Sequence, residues 1–325
     1  MYKTAEQLKA LIDDFISKEA FGKGPSGLYA PVRYIMQLGG KRLRPLLTLM
    51  SCQLFHDRPE GFLSQATSVE VFHNFTLMHD DIMDNAPLRR GQTTVHEKWD
   101  ANTAILSGDV MLALANKYLL KGQEEKAHTL ANMFNDCAIA VCEGQQYDMD
   151  FEQMEEVAEE DYLNMIRLKT AVLIGYSLEL GAVLGGRPEE GNSLREFGIN
   201  IGMGFQLRDD LLDLYADKEK FGKQIGGDII SRKKTFLYIA ALDRADGKTR
   251  QELKQLYSED VAASDTERVT SVRKIFDDLE IRSITEERIK DYFDQAFYSL
   301  KKVGAPLNRK SVVKDFVMAL AERQQ

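Results

Sequence analysis

SVEVFHNFTLMHDDIMD, residues 68 to 84, decides the fold of this chain. Apolar Val69, Phe72, Phe75, Leu77, Ile82 and Met83 run through it at spacings that suit a largely buried helix. Its end carries Asp80, Asp81 and Asp84. Three aspartates in five residues are poor helix design, because side chains three and four apart face one another and like charges repel. In a helix Asp80 and Asp84 lie one above the other, with Asp81 about 100° round. The pattern returns as DDLLD at Asp209 to Asp213, again in a helical segment. Two such carboxylate edges facing across a cleft would hold hard divalent cations. A solvated acidic patch accounts poorly for two copies, and poorly for one that ends a buried helix.

The rest of the sequence agrees with an all-helical reading. Period-2 alternation is nearly absent, while apolar spacings of three and four recur throughout. Helices are expected near 3–19, 28–38, 43–56, 62–84, 100–121, 125–150, 160–184, 190–216, 234–245, 265–278, 282–302 and 309–323. Gly39-Gly40, Pro59-Glu60-Gly61, Gly185-Gly186-Arg187-Pro188 and Gly226-Gly227 mark stops and turns. No linker or low-complexity tract divides the chain. The expectation is one domain over residues 1–325, a single large helical bundle lining a deep central cavity.

At 325 residues and 44% hydrophobic, the chain can bury a large core. A net charge of −9 argues against a general nucleic-acid binder, whose affinity comes from neutralising phosphates. Cys52, Cys137 and Cys142 are few, odd in number and set in apolar helical stretches, so they read as core thiols in a reducing compartment. The N-terminus carries Glu6, Asp13 and Asp14 and does not resemble a signal peptide. The most apolar segment, Ala171 to Gly186, is interrupted by Glu179 and too short for a membrane span. A soluble, cytoplasmic protein is expected. Two weaker patterns carry nothing: Gly22 to Gly27 fits GxGxxG without a preceding strand, and Gly247-Lys248-Thr249 lacks the first glycine of a P-loop, which Leu242 replaces.

Cations stand beside the carboxylates. Asn85-Ala86-Pro87-Leu88-Arg89-Arg90-Gly91 ends the first acidic helix with paired arginines, whose forks suit phosphate oxygens. Upstream, Gly39-Gly40-Lys41-Arg42-Leu43-Arg44-Pro45 joins two glycines to three cations. After the second motif come Phe221-Gly222-Lys223, Gly226-Gly227-Asp228 and Arg232-Lys233-Lys234-Thr235. Carboxylates for metal and cations for phosphate imply a substrate that brings a diphosphate.

This set, in this order, resembles the trans-isoprenyl diphosphate synthases, or polyprenyl synthetases. The likeness runs from GGKRLRP at 39–45 through HDDIMDNAPLRRG at 79–91, LKTA at 168–171 and FQLRDDLLD at 205–213 to FGKQIGGD and KKT at 221–235. The last 80 residues, 246–325, carry none of these motifs and are expected to supply packing helices or a lid. The resemblance implies an all-helical, homodimeric enzyme that joins an allylic diphosphate to isopentenyl diphosphate and releases pyrophosphate. It implies Asp80, Asp84 and Asp209 as ligands of Mg²⁺, with Mn²⁺ as the alternative ion, and Asp81 and Asp213 as supporting or direct ligands. That agrees with the preference of Mg²⁺ for a few carboxylates together with substrate phosphates. Asp210 completes the second catalytic motif. Arg89, Lys169, Thr170, Gln206, Lys223 and Lys233 match positions that contact the allylic diphosphate, Arg89 and Lys169 being counted with the catalytic residues. Lys41, Arg44, His73 and Arg90 match the isopentenyl diphosphate site. On residues alone, His73 would be a core histidine and Lys169 a snorkelling surface lysine. Arg232 departs from the pattern, since the family usually has glycine there, and this bears on the loop that holds Lys233.

The implied chemistry is ionisation to an allylic cation, attack by isopentenyl carbon, and loss of a proton to the released pyrophosphate, with the loops at 221–235 closing to exclude water. One helical turn is about 5.4 Å, close to an isoprene unit, so positions before Asp80 act as a ruler. Phe75 five residues before it and Phe72 eight before it, with small Thr76 four before it, form a floor for a short product. A Phe at that position looks like the geranylgeranyl-forming pattern, with farnesyl diphosphate as the other product expected. Alternatively both rings face the core and another helix sets the floor. Rival readings are a longer-chain synthase, a terpene cyclase, a non-catalytic prenyl synthase subunit, and a di-iron bundle built on the Glu-x-x-His pairs Glu70/His73 and Glu125/His128. DDLLD does not match the second metal motif of the cyclases.

Overall fold

The computed structural model describes residues 2–216, 225–258 and 264–322. Lys223, together with Phe221 and Gly222, lies outside the described residues. Apart from one two-stranded hairpin, the regular structure among these residues is helical. The long helices are α1 (Ala5–Lys18), α2 (Ser26–Gln37), α3 (Leu43–Gln53), α4 (Leu63–Met83), α6 (Ala101–Leu120), α7 (Ala127–Gln153), α9 (Val172–Leu184), α10 (Gly191–Tyr215), α13 (Gly247–Leu256), α14 (Asp265–Asp278), α15 (Ile281–Lys302) and α16 (Leu307–Glu322). Shorter ones are α5 (Val95–Lys98), α8 (Glu159–Ile166), α11 (Gly227–Ile230) and α12 (Phe236–Arg244).

Three differences from the sequence expectation matter. The helix expected over 160–184 is broken into α8, a π-turn over Arg167–Ala171 and α9. The hairpin Leu88–Arg89/Gln92–Thr93 was not expected. Its loop residues Arg90 and Gly91 both have positive φ, 54° and 74°, as a tight two-residue turn requires, and Arg-Gly is not one of its common signals. Third, α13 begins at the glycine of the rejected Gly-Lys-Thr pattern, where the Asp246 carboxylate accepts from the Thr249 amide and makes an ordinary N-cap.

The contacts divide the chain into two compact units, each drawn from three segments. The first contains residues 1–136, 176–195 and 304–313; the second contains 137–175, 196–303 and 314–325. Helices α7, α9, α10 and α16 contribute residues to both.

In the first unit α4 is the centre, packing on α1, α2, α3 and most extensively α6. Every residue from Gln65 to Phe72 is buried, so this stretch is surrounded on all sides. Two of its buried polar side chains bond backbone carbonyls of α6 and the residues just after it: Ser68 donates to Ala115 at 2.7 Å and Gln65 to Lys121 at 2.8 Å. Gly181 of α9 lets two backbones meet, since a Cβ there would lie 2.4 Å from the Thr48 carbonyl oxygen. Beside it Ser51 donates to the Leu178 carbonyl at 2.5 Å. In the second unit α12 packs on α8, α13, α14 and α15. Cys52 and Cys137 are buried as expected, but Cys142 is exposed, because α7 presents that position to solvent. Among the described residues no helix is long and apolar enough to cross a membrane.

Candidate functional site

In each acidic motif the second aspartate turns inward. Asp81 and Asp210 are buried, Asp84 and Asp209 are exposed, and Asp80 and Asp213 are half-buried. The rotation of about 100° per residue produces this split wherever such a motif lies along the flank of a packed helix. The buried members have partners. Arg89 Nε donates to Asp81 Oδ1 at 2.7 Å, so the hairpin returns its arginine to the helix that precedes it. Burial raises the Asp81 pKa, and the Arg89 guanidinium opposes that rise. Asp80 and Asp84 stand at the C-terminal end of α4, where the helix dipole is already negative. Among the described residues no three acidic, imidazole or thiol side chains stand close enough to hold a metal ion; the repulsion at this helix end is of the kind a bound divalent cation would relieve.

The cations of this unit converge on His73. Arg44 Nη1 lies 3.0 Å from His73 Nε2. A guanidinium only donates, so Nε2 must accept and the ring proton belongs on Nδ1. Burial first, then Arg44, Arg90, Arg89 and Arg42, push the His73 pKa well below its ordinary value and keep the ring neutral. Arg90 Nη1 donates to the Gly39 carbonyl, and a Cβ at Gly40 would lie 2.9 Å from that guanidinium nitrogen. Gly40 has φ 136°, a conformation that favours glycine at this point of the loop. Arg42 anchors the same loop from below, donating to Glu70 at 2.6 Å and to the Met36 carbonyl at 2.7 Å, while Lys41 is exposed.

These contacts overturn the di-iron reading. Glu70 is committed to Arg42 and Asn74, His73 faces a guanidinium, and Glu125 and His128 are exposed. The rings before the first motif pack within this unit too. Phe72 is buried and meets Phe134 edge-on at 5.1 Å, and Phe75 lies 5.7 Å from Phe72 and 4.8 Å from the His79 ring. Thr76 bonds back to the His73 carbonyl.

In the second unit Lys169 and Thr170 occupy the π-turn. Thr170 Oγ1 donates to Gln206 Oε1 at 3.1 Å, Gln206 Nε2 donates to Asp210 Oδ1 at 3.1 Å, and Tyr162 donates to Asp210 Oδ2 at 2.5 Å. Burial, then nearby Asp228, raises the Asp210 pKa to about 7, against these two hydrogen bonds. Lys169 Nζ meets Asp148 Oδ2 at 2.6 Å. Asp213 accepts from the Asp228 amide at 3.0 Å, and its carbonyl accepts from Gly226. Lys233 is half-buried and its amide donates to the Asp228 carbonyl, while Lys234 bonds the Phe151 and Glu152 carbonyls at the end of α7. Sequence reasoning missed Tyr162, Asp148 and the Arg42–Glu70 pair. No local spacing singles out Asp148, whose partner Lys169 lies 21 residues further on.

Comparison with known proteins follows the same residues. The family model described as polyprenyl synthetase matches residues 25–277. A geranylgeranyl pyrophosphate synthase of Geoglobus acetivorans is 36% identical over 312 residues, 93% of either chain. A geranylfarnesyl diphosphate synthase of Natronomonas pharaonis is 36% identical over 256 residues, 73% of this chain and 75% of its own. A crystal structure of a geranylgeranyl pyrophosphate synthase superposes with a TM-score of 0.93 at 40% identity, covering 98% of both chains.

The structure explains why glycine suits position 232. Arg232 has φ 57°, in the left-handed region, and the backbone keeps this conformation with a side chain on it. That strain is about 1–2 kcal/mol, against about 0.4–1 kcal/mol of unfolded-chain entropy that a glycine would add. The strain is larger. Arg232→Gly should therefore raise the unfolding free energy by about 0.5–1 kcal/mol. Chemical denaturation reads this directly, and a fall in stability would mean that the arginine side chain makes contacts worth more than the strain.

Proposed function

We propose, from the premise that this chain belongs to the polyprenyl synthetase family, that it condenses isopentenyl diphosphate with allylic diphosphates to geranylgeranyl or farnesyl diphosphate. Pyrophosphate is released. Membership makes it an isoprenyl diphosphate synthase, a prenyltransferase of the short-chain kind. The observation that best supports this substrate is the end of α4. Three carboxylates there are followed at once by a hairpin whose guanidiniums turn toward Asp81 and the 39–40 loop, with neutral His73 nearby. Carboxylates beside guanidiniums match a cation that carries a diphosphate.

In this reading Asp80, Asp81, Asp84, Asp209 and Asp213 hold Mg²⁺, or Mn²⁺ in its place, and Asp210 orients Gln206. The bound ions would neutralise charge on the departing diphosphate. Arg89, Lys169, Thr170, Gln206, Lys223 and Lys233 contact the allylic diphosphate. Lys41, Arg44, His73 and Arg90 bind isopentenyl diphosphate, His73 serving as a neutral partner that orients Arg44. Phe72, Phe75 and Thr76 limit the growing hydrocarbon. The whole chain would act as one catalytic domain, consistent with four helices that supply residues to both units. We also propose a cytoplasmic homodimer. Free Cys52, Cys137 and Cys142 fit a reducing compartment, and Ile105 and Leu106 stand exposed on α6, as an apolar interface would need.

Incubating the purified chain with Mg²⁺, labelled isopentenyl diphosphate and, separately, dimethylallyl, geranyl and farnesyl diphosphates tests the reaction. Fifteen- or twenty-carbon products are expected, and no elongation from any starter would refute it. Chelation should abolish turnover and added Mg²⁺ restore it. Asp80→Ala and Asp209→Ala should each lower kcat by about two to four orders of magnitude with helicity unchanged; near-normal turnover in both would remove the metal assignment. Phe75→Ala should lengthen the products, and an unchanged distribution would place the floor on another helix. Light scattering should return twice the chain mass, and a monomer at working concentration would end the dimer proposal. Fractionation of cells should find the chain with the cytosol; recovery elsewhere would end that assignment.

A further inference from the structure

We infer that Asp148 is the positioning residue that holds the Lys169 ammonium for the allylic diphosphate. The inference rests on the proposed role of Lys169 in contacting that group. Lys169 lies in the π-turn Arg167–Ala171, closed by the Val172 amide donating to the Arg167 carbonyl. Such a turn inserts one extra residue into a helix and shifts the direction of the side chains it carries.

The π-turn is gripped at backbone level from two sides. On α7, a Cβ at Gly144 would lie 2.2 Å from the Lys169 amide nitrogen and 2.7 Å from the Leu168 carbonyl carbon. On α10, a Cβ at Gly202 would lie 2.6 Å from Ala171 Cα. No side chain fits at either place. Asp148 follows Gly144 by four residues and so occupies the same face of α7. The glycine brings the π-turn in, and the aspartate one turn on receives the lysine at 2.6 Å.

Stability does not account for this arrangement. Both side chains are 23% exposed, and a part-exposed ion pair returns little. Each helical glycine gives up at least as much relative to alanine. Placement of the ammonium is what the pair accomplishes. A lysine has a long flexible stem, and fixing it before substrate arrives removes that entropy loss from the reactive complex. An ammonium has three donors, so a bond to Asp148 is compatible with bonds to diphosphate oxygens. Thr170, its neighbour, is held by the separate chain of Gln206, Asp210 and Tyr162. Asp148 touches that chain only as a negative charge near the Tyr162 hydroxyl, whereas it bonds Lys169 directly, and the double-mutant cycle separates the two routes.

A double-mutant cycle tests this by steady-state elongation of an allylic diphosphate. Asp148→Ala should lower kcat about ten- to a hundredfold, and Asp148→Glu should recover part of the loss. The double variant Asp148→Ala/Lys169→Ala should be no slower than Lys169→Ala alone, since a residue that acts through another has nothing left to act on. Losses that multiply would overturn the proposal, as would normal turnover in Asp148→Ala. Asp148→Asn, of the same size, replaces the alanine variant should circular dichroism show that alanine prevents folding. Failure of the wild-type chain to elongate any starter would instead refute the proposed function, so the two failures are distinguishable.

Discussion

A helix surrounded on every side must still end somewhere, and α4 ends in charge. From Gln65 to Phe72 it has no exposed face, so its position is fixed by packing against α1, α2, α3 and α6. Its last turn then carries Asp80, Asp81 and Asp84 at the negative end of the helix dipole, a placement that is unfavourable by itself. The packing of the buried stretch supplies the rigidity that keeps those carboxylates together. The hairpin that follows can then return Arg89 to Asp81 and Arg90 to the Gly39 carbonyl.

Cations in the first unit are held by a second device, the buried Arg42–Glu70 pair. Such pairs contribute little net stability, because desolvation offsets the attraction. Their geometry is specific, however. Arg42 also reaches the Met36 carbonyl, which anchors the segment that carries Lys41 and Arg44. His73 remains neutral because a proton on it would sit buried among four guanidiniums.

Glycine contacts do comparable work around the π-turn. Gly144 and Gly202 admit the π-turn backbone, and Gly198 approaches Gly175 in the same way, a Cβ there meeting Gly175 Cα at 2.7 Å. Close backbone approach of this kind cannot be recognised from periodicity, since a glycine within a helix reads equally as a weak spot. That is why the sequence suggests one continuous helix over 160–184 where the chain has two helices and a π-turn. The Arg90-Gly91 hairpin was hidden for a related reason: Gly91 favours positive φ but Arg90 does not, and Arg90, at φ 54°, makes its contact with the Gly39 carbonyl far back in the chain.

Residue spacing alone makes the chain helical, puts repeated aspartates near the ends of α4 and α10, and sets cations beside them in the chain. Each is a matter of local spacing, and helical rotation converts spacing into faces without further information. Tertiary structure decided which aspartate of each motif turns inward, which cation anchors and which remains outside, and what holds Lys169. Those depend on partners distant in the chain: Tyr162 for Asp210, Glu70 for Arg42, and Asp148 for Lys169. A single sequence carries no record of which distant side chain a residue will meet, so the selection of those pairs waits for packing to bring them within hydrogen-bond reach.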